Sequence, residues 1–113
     1  MQKTEISEEI FIKIDNLVKN NDVVLFMKGT SEMPMCGFSS VVVTILSRLN
    51  QKFIDVNVMQ DQDIRQGIKD YSDWPTIPQL YVKGEFVGGC DIIRDMYEKG
   101  ELKVLLESKG LEC

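Results

Sequence analysis

Val23-Val24-Leu25-Phe26-Met27 is an unbroken apolar run with β-branched content, closed by Lys28-Gly29, and it reads as a buried strand. Before it, Ser7 followed by Glu8 and Glu9 has the form of a helix start: a capping hydroxyl, then acids at the positive end of the dipole. Ile10, Ile14, Leu17 and Val18 recur at helical spacing, and Asn20-Asn21 stops the element. A polar, irregular stretch runs from Thr30 to Met35. After Cys36-Gly37-Phe38-Ser39, the positions Val41, Val42, Ile45, Leu46 and Leu49 predict a helix from Ser40 to Leu49. Phe53, Ile54, Val56 and Val58 predict a second strand, and Asp61 or Asp63 opens a helix through Tyr71.

Trp74-Pro75-Thr76-Ile77-Pro78 cannot be helix interior, because its prolines remove amide donors and push their predecessors extended. Leu80-Tyr81-Val82, Lys83-Gly84 and Glu85-Phe86-Val87 predict a hairpin with a two-residue turn. A helix follows from Asp91 to Glu98, broken at Gly100, and a last short one carries Leu102, Leu105 and Leu106. The order α-β-α-β-α-β-β-α-α predicts an α/β chain: a four-stranded mixed sheet flanked by helices, with an extra C-terminal helix. That is the thioredoxin fold. At 113 residues the expectation is a single domain over 1–113, its core spanning about 8–108.

Charge and composition narrow the function. Eighteen acidic against 13 basic side chains give −5, which argues against nucleic acid as a partner while leaving room for a local basic patch. The absence of histidine removes imidazole as catalytic base or metal ligand. No run approaches the roughly 20 apolar residues of a membrane span, so no membrane is expected. Met1-Gln2-Lys3-Thr4-Glu5 lacks the form of a signal peptide and the Arg-rich, acid-poor character of a transit peptide. Cys36, Cys90 and Cys113 are odd in number and widely spaced, which fits a reducing compartment better than a disulfide scaffold.

Cys36 stands where a strand and loop lead into a helix. Amides opening a helix are unpaired and point at whatever sits there, and the dipole adds positive potential. A free thiol of pKa near about 8.5 is only a few per cent ionised at neutral pH. A partly buried helix end, worth up to about 2 kcal/mol, lowers that pKa by roughly 1.5. Lys28 adds to the effect, so Cys36 is expected as a thiolate. The plain alternative is an inert buried cysteine, against which stand Gly37, which leaves room for approach, and the small polar Ser39. In dithiol oxidoreductases a resolving cysteine sits three positions after the first; here that residue is Ser39. The nucleophile therefore needs an external partner. It either awaits glutathione as resolving thiol or holds a metal with glutathione as co-ligand.

Two further features surround it. A cis bond before Pro78 would face the Ile77 amide and carbonyl outward beside Cys36, where a cysteinyl peptide could pair with them; an ordinary trans proline in a loop is the alternative. Lys28, Arg65 and Lys69 are cations on otherwise acidic ground, and Arg65 and Lys69 share a helix face. Alone they read as solvated surface. The Cys90 and Asp91 amides, opening a helix after Gly88-Gly89, suit a carboxylate, and the Asp91 side chain suits an ammonium. Glutathione carries two carboxylates and one ammonium, which matches the set.

At these residues the sequence resembles the monothiol glutaredoxins of the Cys-Gly-Phe-Ser type, in their short single-domain form. Lys28-Gly29-Thr30, Pro34-Met35-Cys36-Gly37-Phe38-Ser39, Trp74-Pro75-Thr76-Ile77-Pro78-Gln79-Leu80 and Gly88-Gly89-Cys90-Asp91 are similar to that family's blocks, in order and at compatible spacing. The resemblance implies a cis Pro78 and glutathione held by Lys28, Arg65, Lys69, Ile77, Cys90 and Asp91. It also implies a [2Fe–2S] cluster bridging a homodimer that is monomeric when apo, each subunit giving Cys36 and each bound glutathione another thiolate. The implied partners are scaffold and acceptor proteins of iron–sulfur assembly and a BolA-like protein. The implied role is cluster storage and transfer, electron transport and redox homeostasis in a bacterial cytoplasm, or in an organellar matrix after processing.

Three readings stay open at this point. The chain is chiefly a cluster carrier rather than a turnover enzyme, or a glutathione-dependent oxidoreductase that reduces protein–glutathione mixed disulfides with Cys36 as nucleophile. The third reading is an adaptor that uses only the fold, which loss of Cys36 would leave intact. A Cys36–Cys90 disulfide under oxidation is an additional expectation, and Cys113 reads as a tail thiol without a role.

Overall fold

The computed structural model describes residues 7–111, and Met1 to Glu5 and Cys113 lie outside them. Nine elements follow in the order α1 (Glu8–Asn20), β1 (Val23–Met27), α2 (Gly37–Arg48), β2 (Ile54–Asn57), α3 (Gln62–Ser72), β3 (Gln79–Val82), β4 (Glu85–Gly88), α4 (Cys90–Glu98) and α5 (Glu101–Ser108). The strands form one mixed sheet in the order β2-β1-β3-β4. β1 runs parallel to β2, with Phe26 opposite Val56, and antiparallel to β3, with Leu25 opposite Leu80. This is the thioredoxin fold.

Every residue of β1 is buried, as the apolar run requires, because the strand is covered on both faces. The alternation of a strand splits its side chains between two cores. Val23, Leu25 and Met27 pack with Val42, Ile45 and Leu46 of α2, Ile93 of α4, and Leu102 and Leu106 of α5. Val24 and Phe26 pack on the other side with Ile14 and Val18 of α1, and Ile64 and Ile68 of α3. Helices α1 and α3 thus cover one face of the sheet, and α2, α4 and α5 the other. Between β3 and β4 the hairpin turns at Lys83 (φ 51°) and Gly84 (φ 83°), both left-handed, as a two-residue hairpin turn demands.

The helix starts are chemically marked. The Ser7 hydroxyl accepts the Ile10 amide at 3.2 Å, and the Asp61 carboxylate accepts the Asp63 and Ile64 amides at 3.1 and 3.2 Å. Two boundaries differ from the sequence expectation. α2 begins at Gly37, not Ser40, so Cys36 is itself the N-cap. β2 is confined to Ile54–Asn57, with Phe53 and Val58 packing on the core from beyond the ladder's ends. Among the described residues no helix is long and apolar enough to cross a membrane.

Candidate functional site

Cys36 is delivered by a closed loop. After β1 the chain turns at Gly29 (φ 90°), pairs with itself across Gly29 and Pro34, and returns with the Met35 amide donating to the Lys28 carbonyl at 2.9 Å. Thr30 and Met33 exchange backbone hydrogen bonds of 3.1 Å. A Cβ on Gly29 would stand 2.5 Å from the Met33 carbonyl oxygen and the Met35 amide nitrogen, so glycine is required for the close approach. Strand β2 anchors the loop from outside. The Asp55 carboxylate accepts the Ser31 amide at 2.7 Å, and Asn57 Oδ1 accepts the amides of Gly29 and Met59 at 3.0 Å each.

At the end of this loop Cys36 takes an extended conformation (φ −151°, ψ 135°) and caps α2. No first-turn amide makes a full capping bond to Sγ, but their field reaches it. The Ser39 amide is the main influence holding the thiol below its ordinary pKa; the Phe38 amide, the Lys28 charge and the Ser39 hydroxyl assist, and partial burial opposes them. A Cβ on Gly37 would meet nothing within 4 Å, so the approach to the sulfur is open. Met33, Met35 and Phe38 are each at least 60% exposed around it.

A cavity of about 500 Å3 opens beside Cys36. Lys28, Arg65, Lys69, Ile77, Cys90 and Asp91, the side chains singled out in the sequence, all line it with Cys36. Arg65 and Lys69 come from α3 and Lys28 directly follows β1, so cations from two parts of the chain line the cavity, and the Lys28 charge acts on the sulfur. Opposite them α4 begins: Gly89 is its N-cap, and Cys90 and Asp91 are its first residues. One local contact went unread in the sequence: Asp91 Oδ1 accepts from Arg94 at 3.3 Å, so an incoming ammonium would share that carboxylate. Cys90 is buried, and desolvation raises its pKa, the Asp91 and Cys36 charges adding and Arg94 opposing. Both cysteines are free thiols.

The wall between β3 and α3 is the Trp74–Pro78 segment, and the Ile77–Pro78 bond is cis. Its shape is held by Gln79, fully buried, whose Nε2 donates to the Trp74 and Thr76 carbonyls at 3.1 Å each. Gln79 Oε1 accepts from the Tyr81 hydroxyl at 3.3 Å. Trp74 packs on Phe86 at a ring separation of 5.7 Å. Gly89 is close to this wall: a Cβ there would lie 3.3 Å from the Pro78 carbonyl oxygen and 3.4 Å from the indole nitrogen of Trp74. Sequence reading missed Gln79, Asp55 and Asn57 as supports: Asp55 and Asn57 bond amides 24 and 28 residues away, while Gln79 bonds back to carbonyls of its own loop.

Chemically, the arrangement offers one partly exposed thiol of lowered pKa in a cavity lined also by three cations and the N-terminus of a helix. Residues 23–87 match the glutaredoxin family model. The chain is 55% identical over 96 residues to "Probable monothiol glutaredoxin 2" of Rickettsia typhi, covering 85% of this chain and 86% of that one. The chain belongs to the monothiol glutaredoxin family. Among solved glutaredoxins, the solution structure of reduced poplar apo GrxS14 is 51% identical, with a TM-score of 0.77 over 87% of this chain and 90% of that one. A monomeric truncated mutant of Trypanosoma brucei 1-C-Grx1 superposes with a TM-score of 0.84 at 43% identity, over 91% and 94% of the two chains. In this monothiol glutaredoxin the position three after the cysteine is Ser39, fully buried, whose Oγ accepts the Lys28 amide at 3.1 Å.

Proposed function

We propose that this glutaredoxin binds glutathione in the cavity beside Cys36, and that two chains with two glutathiones carry a [2Fe–2S] cluster as cargo for storage and transfer. The observation that carries the reading is the meeting of a depressed-pKa thiol, the cations Lys28, Arg65 and Lys69, and the start of α4 in one cavity. One glutathione carboxylate suits Arg65 and Lys69 and the other the Cys90 and Asp91 amides, with the Asp91 side chain toward the ammonium. Ile77 offers its backbone to the cysteinyl unit.

The donor set fits a shared cluster. A [2Fe–2S] cluster takes four thiolates. Among the described residues no group of three or more His, Cys, Asp or Glu is placed to hold a metal ion. Cys36 is the thiol ready to ligate, while Cys90 is buried and held protonated by desolvation. One thiolate per chain, doubled in a dimer and completed by two glutathiones, meets the count. Half the ligands are then small molecules that exchange, which suits handing the cluster to acceptor proteins or sharing it with a BolA-like partner.

A second reading draws on the open approach over Gly37. There Cys36 attacks the glutathione sulfur of a protein–glutathione disulfide, the protein thiolate leaves, and a second glutathione frees Cys36 as glutathione disulfide departs, making the chain a glutathione-dependent oxidoreductase. Anaerobic reconstitution with iron, sulfide and glutathione separates the two. A coloured dimer that bleaches to monomer when glutathione is removed supports the carrier. A colourless monomer with brisk activity on a glutathionylated protein supports the reductase. Mass mapping of the oxidised protein decides the Cys36–Cys90 pairing, which fails if only Cys36–glutathione adducts are found.

A further inference from the structure

We propose that Gln79 is a positioning residue for glutathione: by holding the Thr76 carbonyl inside the fold, it turns the Ile77 amide out to meet the ligand's cysteinyl carbonyl. The inference rests on glutathione occupying the cavity beside Cys36, as proposed above. Gln79 opens β3, is 0% exposed, and donates from Nε2 to the Trp74 and Thr76 carbonyls at 3.1 Å each. The two bonds have different effects. The Trp74 carbonyl precedes Pro75, which has no amide to turn, so that bond anchors the far end of the loop. The Thr76 carbonyl shares a planar trans peptide with the Ile77 amide, and in such a unit C=O and N–H point in opposite directions. Drawn toward a fully buried side chain, the carbonyl leaves the N–H directed away from the core. Among the described residues none bonds the Ile77 amide or carbonyl, and Ile77 lines the cavity. An unspent backbone donor at a cavity wall suits the carbonyl of an extended ligand.

The amide of Gln79 is itself aimed. Its Oε1 accepts from the Tyr81 hydroxyl at 3.3 Å, which leaves both Nε2 hydrogens for the loop. Gln79 and Tyr81 are two apart in β3 and so project from the same face of the sheet. Tyr81 is 2% exposed, and its ring packs on Phe26, Phe86 and Tyr71 at separations of 5.6, 5.4 and 6.0 Å. Turned the other way, the Gln79 amide would set Oε1 against two carbonyl oxygens, so the hydrogen-bonding pattern admits one orientation. A line of contact therefore runs from the aromatic core through Tyr81 and Gln79 to the peptide that carries the Ile77 amide.

Gln79→Met keeps the length of the side chain and removes its hydrogen bonds. The readouts are backbone amide resonances and titration calorimetry of the full chain with reduced glutathione. In the unaltered protein the Ile77 amide proton is expected to move downfield, and to exchange more slowly, when glutathione is added. In Gln79→Met that response is expected to be lost while the Cys90 and Asp91 amides still shift. The dissociation constant is expected to rise about fivefold, the worth of one neutral hydrogen bond. Tyr81→Phe leaves Gln79 in place but frees its amide to turn. It is expected to raise the dissociation constant about twofold, and it carries the test if Gln79→Met does not fold. A merely structural Gln79 would lower the unfolding midpoint and leave the folded protein's affinity and Ile77 response unchanged; that result overturns the proposal. An Ile77 amide that stays in place in the unaltered protein while those of Cys90 and Asp91 shift overturns the Gln79 role alone. No response from any of these amides overturns the functional reading beneath it.

Discussion

The Asp55 carboxylate accepts the Ser31 amide at 2.7 Å, and by that bond strand β2 holds the loop that delivers Cys36. Two residues on, Asn57 Oδ1 takes the Gly29 and Met59 amides. The position of Cys36 is therefore set by a neighbouring strand as much as by its own helix.

Asn57→Ala tests this support. It strands the part-buried Gly29 amide, and an unpaired buried donor costs about 1–3 kcal/mol before relaxation, while the exposed Met59 amide turns to water. We expect a loss of roughly 2 kcal/mol in denaturant unfolding, together with slower, less pH-sensitive alkylation of Cys36. Full stability with unaltered Cys36 kinetics would show that the loop holds itself.

Glutathione affinity is the second test. If Lys69 grips a glutathione carboxylate as proposed, Lys69→Ala removes one charge-assisted hydrogen bond and the dissociation constant should rise about tenfold by titration calorimetry. Arg65→Ala should act in the same direction, and both losses should shrink as salt rises. Affinities within twofold of the unaltered protein would mean that these cations face the cavity without gripping the ligand.

Much of this site was legible, and what was missed shares a cause. Lys28, Cys36, Ile77, Cys90 and Asp91 announce themselves by residue type at loops and helix starts, Arg65 and Lys69 by sharing a helix face, and all seven line one cavity. The true start of α2 was hidden because the first turn has no apolar stripe to read: Phe38 is 62% exposed. Asp55 and Asn57 were invisible for a different reason. Asp55 and Asn57 bond amides 24 and 28 residues away, and no local pattern marks such pairs. The Asp91–Arg94 contact, by contrast, is a three-residue helical spacing that sequence alone contains.

Asp61 gives a pH prediction. Its carboxylate caps α3, and the Ile64 amide, followed by Lys13, holds its pKa below the ordinary value. A folded pKa below the unfolded one contributes stability above the unfolded value near about 3.9, lost as pH falls through the folded value. Asp61→Ala should therefore cost about 1 kcal/mol near neutrality. Unfolding measured from pH 7 downward should show the two proteins converging in acid. A constant gap down to pH 2 would assign the effect to helix propensity instead.

Native mass spectrometry of the anaerobically reconstituted protein tests the shared-cluster account most directly. The predicted mass is two chains, one [2Fe–2S] unit and two glutathiones, and Cys36→Ser should leave only apo monomer. A cluster carried by a single chain, or by a dimer without glutathione, would contradict the account.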